Sequence, residues 1–327
     1  CVQGFNALWT YIMDFYFEVS DFDLSQTLEC GQCFRFTKLD EDEYIFVATT
    51  PLGVSDFYVA KYQKNGKFEG KLYLSSFDKN GRERTLSDEE KLFLRYYFDL
   101  DRAYGRIKKE IVKSSNLLKS AVSDYGGIHL LNQYFPETLI SFVISQNKQI
   151  PQIKHVIANL CKNYGEYISE YKGNEIYSFP NTETLKEITK EEFKNLRAGF
   201  RDKYLVAASD YLYNLGLYNN TFHEDVLFKN ILSLQSLPYD DVKANLKSIK
   251  GVGDKVANCV LLFGLGKREA FPVDVWIKRG MEELYFNGEK KDISFISDFA
   301  KKTFKEYGGY AQQYIFMASR EKSMKKI

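Results

Sequence analysis

The chain has 327 residues, 44% of them hydrophobic and 27% charged, with a formal net charge of +1; it has room for two or three domains and is too apolar to be wholly disordered. Six prolines leave no long proline-rich linker, and no run approaches the roughly 20 uninterrupted apolar residues of a membrane helix. Five irregularly spaced cysteines (Cys1, Cys30, Cys33, Cys161, Cys259) and only three histidines argue against a disulfide scaffold, a zinc ribbon and a four-cysteine iron–sulfur cluster, and no metal or cofactor is expected.

Residues 1–12 lack the basic start and long apolar core of a signal peptide and read as upstream sequence outside the native chain. From residue 13 short segments rich in aromatic and β-branched residues follow one another, at 44–47, 57–62 and 71–74. Polar turns separate them, with Asn65-Gly66 and Asn80-Gly81 as hairpin signals, and together they predict an antiparallel sheet. Ser87-Asp88-Glu89-Glu90 is a helix cap followed by acids. Helical periods then dominate to Arg320, with candidate helices at 88–98, 101–113, 136–147, 150–164, 190–198, 203–214, 239–247, 253–265, 275–285, 294–307 and 310–320. Gly126-Gly127, Phe179-Pro180-Asn181 and Gly308-Gly309 are turn signals between them. The fold class is α+β: an antiparallel β-rich domain over 13–98, then an all-α domain over 99–327. Charge is uneven. Residues 1–100 hold 11 Lys+Arg against 17 Asp+Glu, and residues 241–327 hold 17 against 11; the asymmetry permits a phosphate-binding face in the C-terminal third, although charge alone favours a plain solvated basic surface.

The most informative stretch is 246–257, LKSIKGVGDKVA, where one helix runs into Gly251-Val252-Gly253 and another begins. The two glycines permit positive φ and close backbone approach. They leave the first amides of the second helix, up to Val256, free at its positive end, where they can grip a phosphate without reading sequence. Lys255 stands in that first turn, where a cation opposes the macrodipole; as a neutral amine it is a nucleophile able to form a Schiff base. Its plainer reading is a point charge on a phosphate. Further on, Pro272-Val273-Asp274 precedes a helical run, which makes Asp274 an N-cap. Its backbone N–H partners would keep it ionised, and an ionised carboxylate stabilises the positive charge that develops at a sugar C1′. Both roles can coexist.

Helix, Gly-Val-Gly, helix, a Lys two residues on, then Pro-Val-Asp: the pattern resembles the helix-hairpin-helix DNA glycosylases, with the hairpin at 240–265. Four more segments resemble the 8-oxoguanine branch of that family. They are 141–150 (SFVISQNKQI), like its strand-invading Asn segment; 196–204 (LRAGFRDKY), like its base-wedging loop; 31–35 (GQCFR), like its Gly-Gln-x-Phe-Arg signature; and 309–316 (GYAQQYIF), like its C-terminal helix. The resemblance covers most of 20–320 in the same order.

The resemblance implies roles. Lys255 would attack C1′, with Asp274 assisting. Gly31 would offer its carbonyl to the N7–H that distinguishes 8-oxoguanine from guanine. Gln312 would bond the base's Watson–Crick edge, and Phe316 and Cys259 would sandwich the flipped ring. Asn147 would fill the space the base leaves, Phe200 would wedge beside the opposite base, and Gln152, Arg201, Gly251, Gly253 and Val256 would contact DNA. Flipping is required because neither C1′ nor the lesion edge is reachable in the stack. The implied activity is removal of 8-oxoguanine from double-stranded DNA, then β-elimination through the Lys Schiff base. The protein would act as a monomer, without a membrane, in a prokaryotic cytoplasm and on the nucleoid. Departures stand where the animal enzymes contact the opposite cytosine: Gln152 replaces an Arg, Phe200 a Tyr, and Lys148 and Gln149 two Asn. They imply a weaker preference for cytosine opposite the lesion. Trp276 replaces a His expected after Asp-Val. Two other readings remain: a non-catalytic phosphate clamp, which needs neither Lys255 nor Asp274, and a glycosylase for another damaged base.

Overall fold

The computed structural model describes residues 15–324; residues 1–12, read above as upstream sequence, lie outside that range. The N-terminal sheet is antiparallel throughout. Its strands are β1 (Tyr16–Ser20), β2 (Phe36–Asp40), β3 (Glu43–Thr49), β4 (Ser55–Lys64), β5 (Glu69–Phe77) and β6 (Glu83–Arg84), in the order β1-β5-β4-β3-β2 with β6 beside β5. Phe46 pairs with Tyr58 and Ala60 with Leu74. Asn65-Gly66 and Asn80-Gly81 stand in the connections the sequence assigned them, before and after β5.

The central strands are apolar on both faces because both faces are covered. Tyr44, Phe46, Tyr58 and Tyr62 pack with Leu24, Leu28, Leu94, Tyr97 and Phe98. On the other side Ile45, Phe57, Val59 and Phe77 pack with Tyr171 and Ile176. The second cover corrects the sequence reading, which has only helices beyond residue 87. Strands Tyr167–Tyr171 and Asn174–Tyr177 form a hairpin turned at Lys172 and Gly173, both with positive φ. A sheet with a second apolar face needs an apolar partner, and this hairpin supplies one from far along the chain. Conversely, the stretch read as strands and turns contains a helix, Leu24–Glu29, capped by Asp23, which accepts from the Gln26 amide at 2.9 Å. Helical periods also miss Lys119–Tyr125, Thr182–Glu187 and Glu224–Ser236.

Two helices form the centre of the α-helical part. Phe135–Ile144 is buried at every position but Glu137, and Asp254–Gly264 is buried from Val256 onward. A helix apolar all round is an interior helix. The two pack together, with Phe142 stacked on Phe263 at 5.5 Å. The first was expected to run to Asn147. It ends at Ile144, and Asn147 stands beyond it in a left-handed turn at φ +50. Gly308-Gly309, expected as a turn, opens the last helix, Gly308–Met324; a Cβ on Gly309 would lie 2.2 Å from Leu262, so the missing side chain lets that helix lie against Asp254–Gly264. No helix among the described residues is long and apolar enough to cross a membrane.

Gln32 ties the sheet region to the helices. It is fully buried; Nε2 donates to the carbonyls of Thr27 and His129, both at 2.8 Å, and Oε1 accepts from the Leu131 amide at 2.9 Å. Its own carbonyl accepts from Gln133 Nε2 at 2.7 Å. Gln32→Leu would leave two interior backbone groups, the His129 carbonyl and the Leu131 amide, unpaired and is expected to lower stability by about 2–4 kcal/mol. Urea unfolding of the two proteins measures this, and a loss under about 0.5 kcal/mol would remove Gln32 as an anchor.

Candidate active site

The hairpin joins helix Tyr239–Lys247 to helix Asp254–Gly264. Gly251 has φ +91, and a Cβ there would lie 2.2 Å from the Tyr204 ring, so both backbone and packing require glycine. Gly253 is the extended N-cap of the second helix, with nothing within 4 Å of a Cβ position and no side chain to cap the first-turn amides, Val256 among them. Such an uncapped N-terminus suits a phosphate. The adjacent Asp254 carboxylate is drawn back to Lys243 and Lys247, each at 3.1 Å.

Lys255 donates from Nζ to the Ser145 hydroxyl at 3.0 Å and lies 5.2 Å from the centroid of the Phe142 ring. Both partners belong to the C-terminal end of Phe135–Ile144. The ammonium thus opposes its own helix dipole but sits at the negative end of another. Asp274 caps helix Val275–Tyr285, as the sequence predicts, accepting from the Ile277 amide at 2.8 Å. The cap was expected to favour the charged form of the carboxyl. Burial instead pushes it up, outweighing the Ile277 amide and the Lys255 charge, which pull it down. Among the described residues no ion pair within 4 Å joins Lys255 to Asp274.

Both line one cleft of about 910 Å³, together with Gly31, Asn147, Gln152, Cys259, Gln312 and Phe316. Gly31 has φ +82, and its α-carbon faces the Phe316 ring, 3.5 Å from where a Cβ would stand. Gln312 is buried, donates to the Pro272 carbonyl at 3.3 Å and accepts from Gln313 at 3.1 Å. A carbonyl can only accept, so the amide is oriented without ambiguity. Burial pushes the Cys259 thiol up to about 11, so at neutral pH it is an uncharged wall. Trp276, in place of the expected His, also lines the cleft, with the Arg279 guanidinium 5.8 Å from its ring centroid.

Phe200, Arg201, Gly251, Gly253 and Val256 lie outside the cleft wall. Phe200 is 53% exposed at the tip of its loop, as a wedge requires. Arg201, expected to contact DNA, is 4% exposed and turns its guanidinium to the chain itself. It donates to the carbonyls of Gln146 (2.6 Å), Asn147 (3.2 Å) and Ala198 (2.9 Å). Lys148 adds a second tie, donating to the Arg197 carbonyl at 3.1 Å. The Asn147 turn and the Phe200 loop are therefore one body. Gln152 also has a local partner: its Oε1 accepts from the Gln149 amide at 3.2 Å in a reciprocal cap of helix Ile150–Tyr164. The sequence reading missed Ser145 and Gln313, because nothing local marks a serine 110 positions from its lysine as that lysine's partner.

An uncapped hairpin, an amine and a half-buried carboxylate on one cleft, and an exposed aromatic beside a left-handed Asn are the arrangement expected of a base-excision DNA repair protein. The comparisons agree. Residues 15–139 match the model of the 8-oxoguanine DNA glycosylase N-terminal domain, and residues 140–305 match that of the HhH-GPD superfamily base excision DNA repair proteins. The N-glycosylase/DNA lyase of Saccharomyces cerevisiae is 30% identical over 80% of this chain and 67% of its own. The solved 8-oxoguanine glycosylase/lyase of Clostridium acetobutylicum, in complex with double-stranded DNA containing cytosine opposite 8-oxoguanine, is 35% identical, covering 95% of this chain and 99% of that one, with a TM-score of 0.78. A 3-methyladenine DNA glycosylase from Archaeoglobus fulgidus shares the fold, with a TM-score of 0.72 at 16% identity. The chain belongs to the 8-oxoguanine DNA glycosylase family of the HhH-GPD superfamily.

The two hairpin glycines should differ sharply. Gly251→Ala must strain its backbone and displace Tyr204, and is expected to destabilise by about 1–3 kcal/mol. Gly253→Ala meets nothing, and its loss should stay below about 1 kcal/mol. Urea unfolding midpoints of the two variants check this, and the reverse order would contradict the geometry.

Proposed function

We propose that this protein excises 8-oxoguanine from double-stranded DNA and then nicks the strand, as a bifunctional N-glycosylase and AP lyase. The observation that carries the reading is the convergence of Lys255, Asp274, Gly31 and Gln312 on one cleft. The damaged nucleoside leaves the stack, Asn147 fills its place, Phe200 wedges the opposite strand, and the hairpin amides grip the backbone. The Gly31 carbonyl accepts the N7–H of the lesion, which guanine lacks. Gln312 reads the Watson–Crick edge, and Phe316 and Cys259 enclose the ring.

The neutral Lys255 amine attacks C1′. The Nζ–C1′ bond forms, the C1′–N9 bond breaks, and its electron pair leaves with the base, which takes up a proton. Asp274 stabilises the positive charge on the sugar. Opening of the sugar ring gives the Schiff base. Removal of a C2′ proton expels the 3′ phosphate and cuts the strand. The reading extends to a monomer at work on chromosomal DNA in a prokaryotic cytoplasm, and to a weak preference for opposite cytosine, because Gln152 offers no guanidinium.

Borohydride added during incubation with a duplex carrying one 8-oxoguanine should trap a covalent complex that Lys255→Gln abolishes. DNA bound without an adduct would favour a phosphate clamp. Asp274→Asn keeps the cap, since Asn caps as well as Asp, but lacks the charge, and base release should fall about 100-fold or more. The carboxylate works ionised and burial raises its pKa, so wild-type activity should fall with decreasing pH above the ordinary carboxylate range. The part of that acid limb that belongs to the carboxylate should be missing in Asp274→Asn, so the wild-type profile falls more steeply, and single-turnover pH profiles of both proteins decide it.

A further inference from the structure

The geometry points to Ser145 as the residue that positions the Lys255 amine, an inference that rests on the Schiff-base reading above. Ser145 follows the last residue of helix Phe135–Ile144 and is 8% exposed. A serine hydroxyl has one proton to donate and two lone pairs to accept with. The proton is committed: Oγ donates to the Phe142 carbonyl one turn back, at 2.8 Å. Only lone pairs remain for Lys255, whose Nζ lies 3.0 Å away. Ser145 is therefore a fixed acceptor, and Lys255 must point an N–H at it whether the amine is charged or neutral.

That has a directional consequence. When the amine is neutral, its own lone pair cannot face the serine, because two lone pairs repel. The Phe142 ring occupies another side, with Nζ 5.2 Å from its centroid. The nucleophilic lone pair is left to face the cleft that Asp274 also lines. Orienting a reacting group before attack is worth large rate factors, and a small misplacement can cost about 100-fold.

Ser145 also stands two residues before Asn147. The carbonyls of Gln146 and Asn147 are held by the buried Arg201, so the segment cannot shift without carrying its anchor. The same short turn thus presents Asn147 to the duplex and the Ser145 oxygen to the nucleophile. Its entry into DNA and the aim of the amine are mechanically linked.

The test uses the full chain with Ser145→Ala, which removes the acceptor, and Ser145→Cys, which keeps the bulk but accepts poorly. Ser145→Thr, which retains a hydroxyl, is the conservative rescue. Borohydride trapping is timed on a duplex with 8-oxoguanine and on one with a preformed abasic site, and affinity is measured on a duplex with a tetrahydrofuran abasic analogue. Trapping by the Ala and Cys variants should fall about ten-fold or more, by the same factor on both substrates, because Ser145 acts through the amine and not through the base. Affinity should stay within about two-fold, and Thr should recover most of the rate. Wild-type trapping rates in the Ala and Cys variants would overturn the proposal. So would a loss on 8-oxoguanine alone with abasic trapping intact, which marks damage to the base pocket. A wild-type protein that traps neither substrate would overturn the Schiff-base reading itself, and the two failures are thereby distinguished.

Discussion

The mutual burial of helices Phe135–Ile144 and Asp254–Gly264 is the constraint on which the site depends. Neither has a polar face, so each must lie in the interior, and the Phe142–Phe263 stack binds them together. Only their ends can carry polar chemistry. The contact between Lys255 and Ser145 shows that the N-terminus of one meets the C-terminus of the other. The hairpin, the amine and the Asn147 turn are brought to one place by that single packing decision. It also accounts for the awkward position of Lys255: a cation disfavoured at its own helix N-terminus is stabilised by the carbonyl end of the neighbour.

The sheet contributes one turn to this arrangement and a great deal of rigidity. Gly31 reaches the cleft from the N-terminal part of the chain because Gln32, next to it, is bonded to backbone groups on both sides. The sheet is in turn held between its own helices and a hairpin from residues 167–177. The two parts of the chain therefore do not stack as separate bodies, since each supplies a surface the other needs. The proposed reading of the lesion by the Gly31 carbonyl depends on such rigidity, because a mobile acceptor follows whichever base is present.

Charge is handled with equal economy. The basic third of the chain does not present all its lysines freely: Lys243 and Lys247 hold Asp254 beside the Gly251-Val252-Gly253 turn. Arg201 is buried, bonds to the carbonyls of Gln146 and Asn147, and so joins the Asn147 turn to the segment that carries Phe200. Exposed around those segments are Asn147, Phe200 and Gly253, with the cationic side chains of Arg197, Lys203 and Lys250 beside them.

The sequence by itself determined what depends on local order. The strand segments, the cap before Asp88, the helix–Gly-Val-Gly–helix, the Asp274 cap and the residue types that bear the chemistry all follow from spacings of a few residues, where steric and hydrogen-bonding rules act directly. The tertiary structure decided what depends on distant pairing. The hairpin at 167–177 exists to cover a sheet face formed a hundred residues earlier. Helix 135–144 stops before Asn147, where Arg201 from another segment holds the following carbonyls. Burial sets the direction of the Asp274 shift, and Ser145 is joined to Lys255 across 110 positions. A side chain's partner, and the water it loses, are properties of the packed chain, and no local window of sequence contains them.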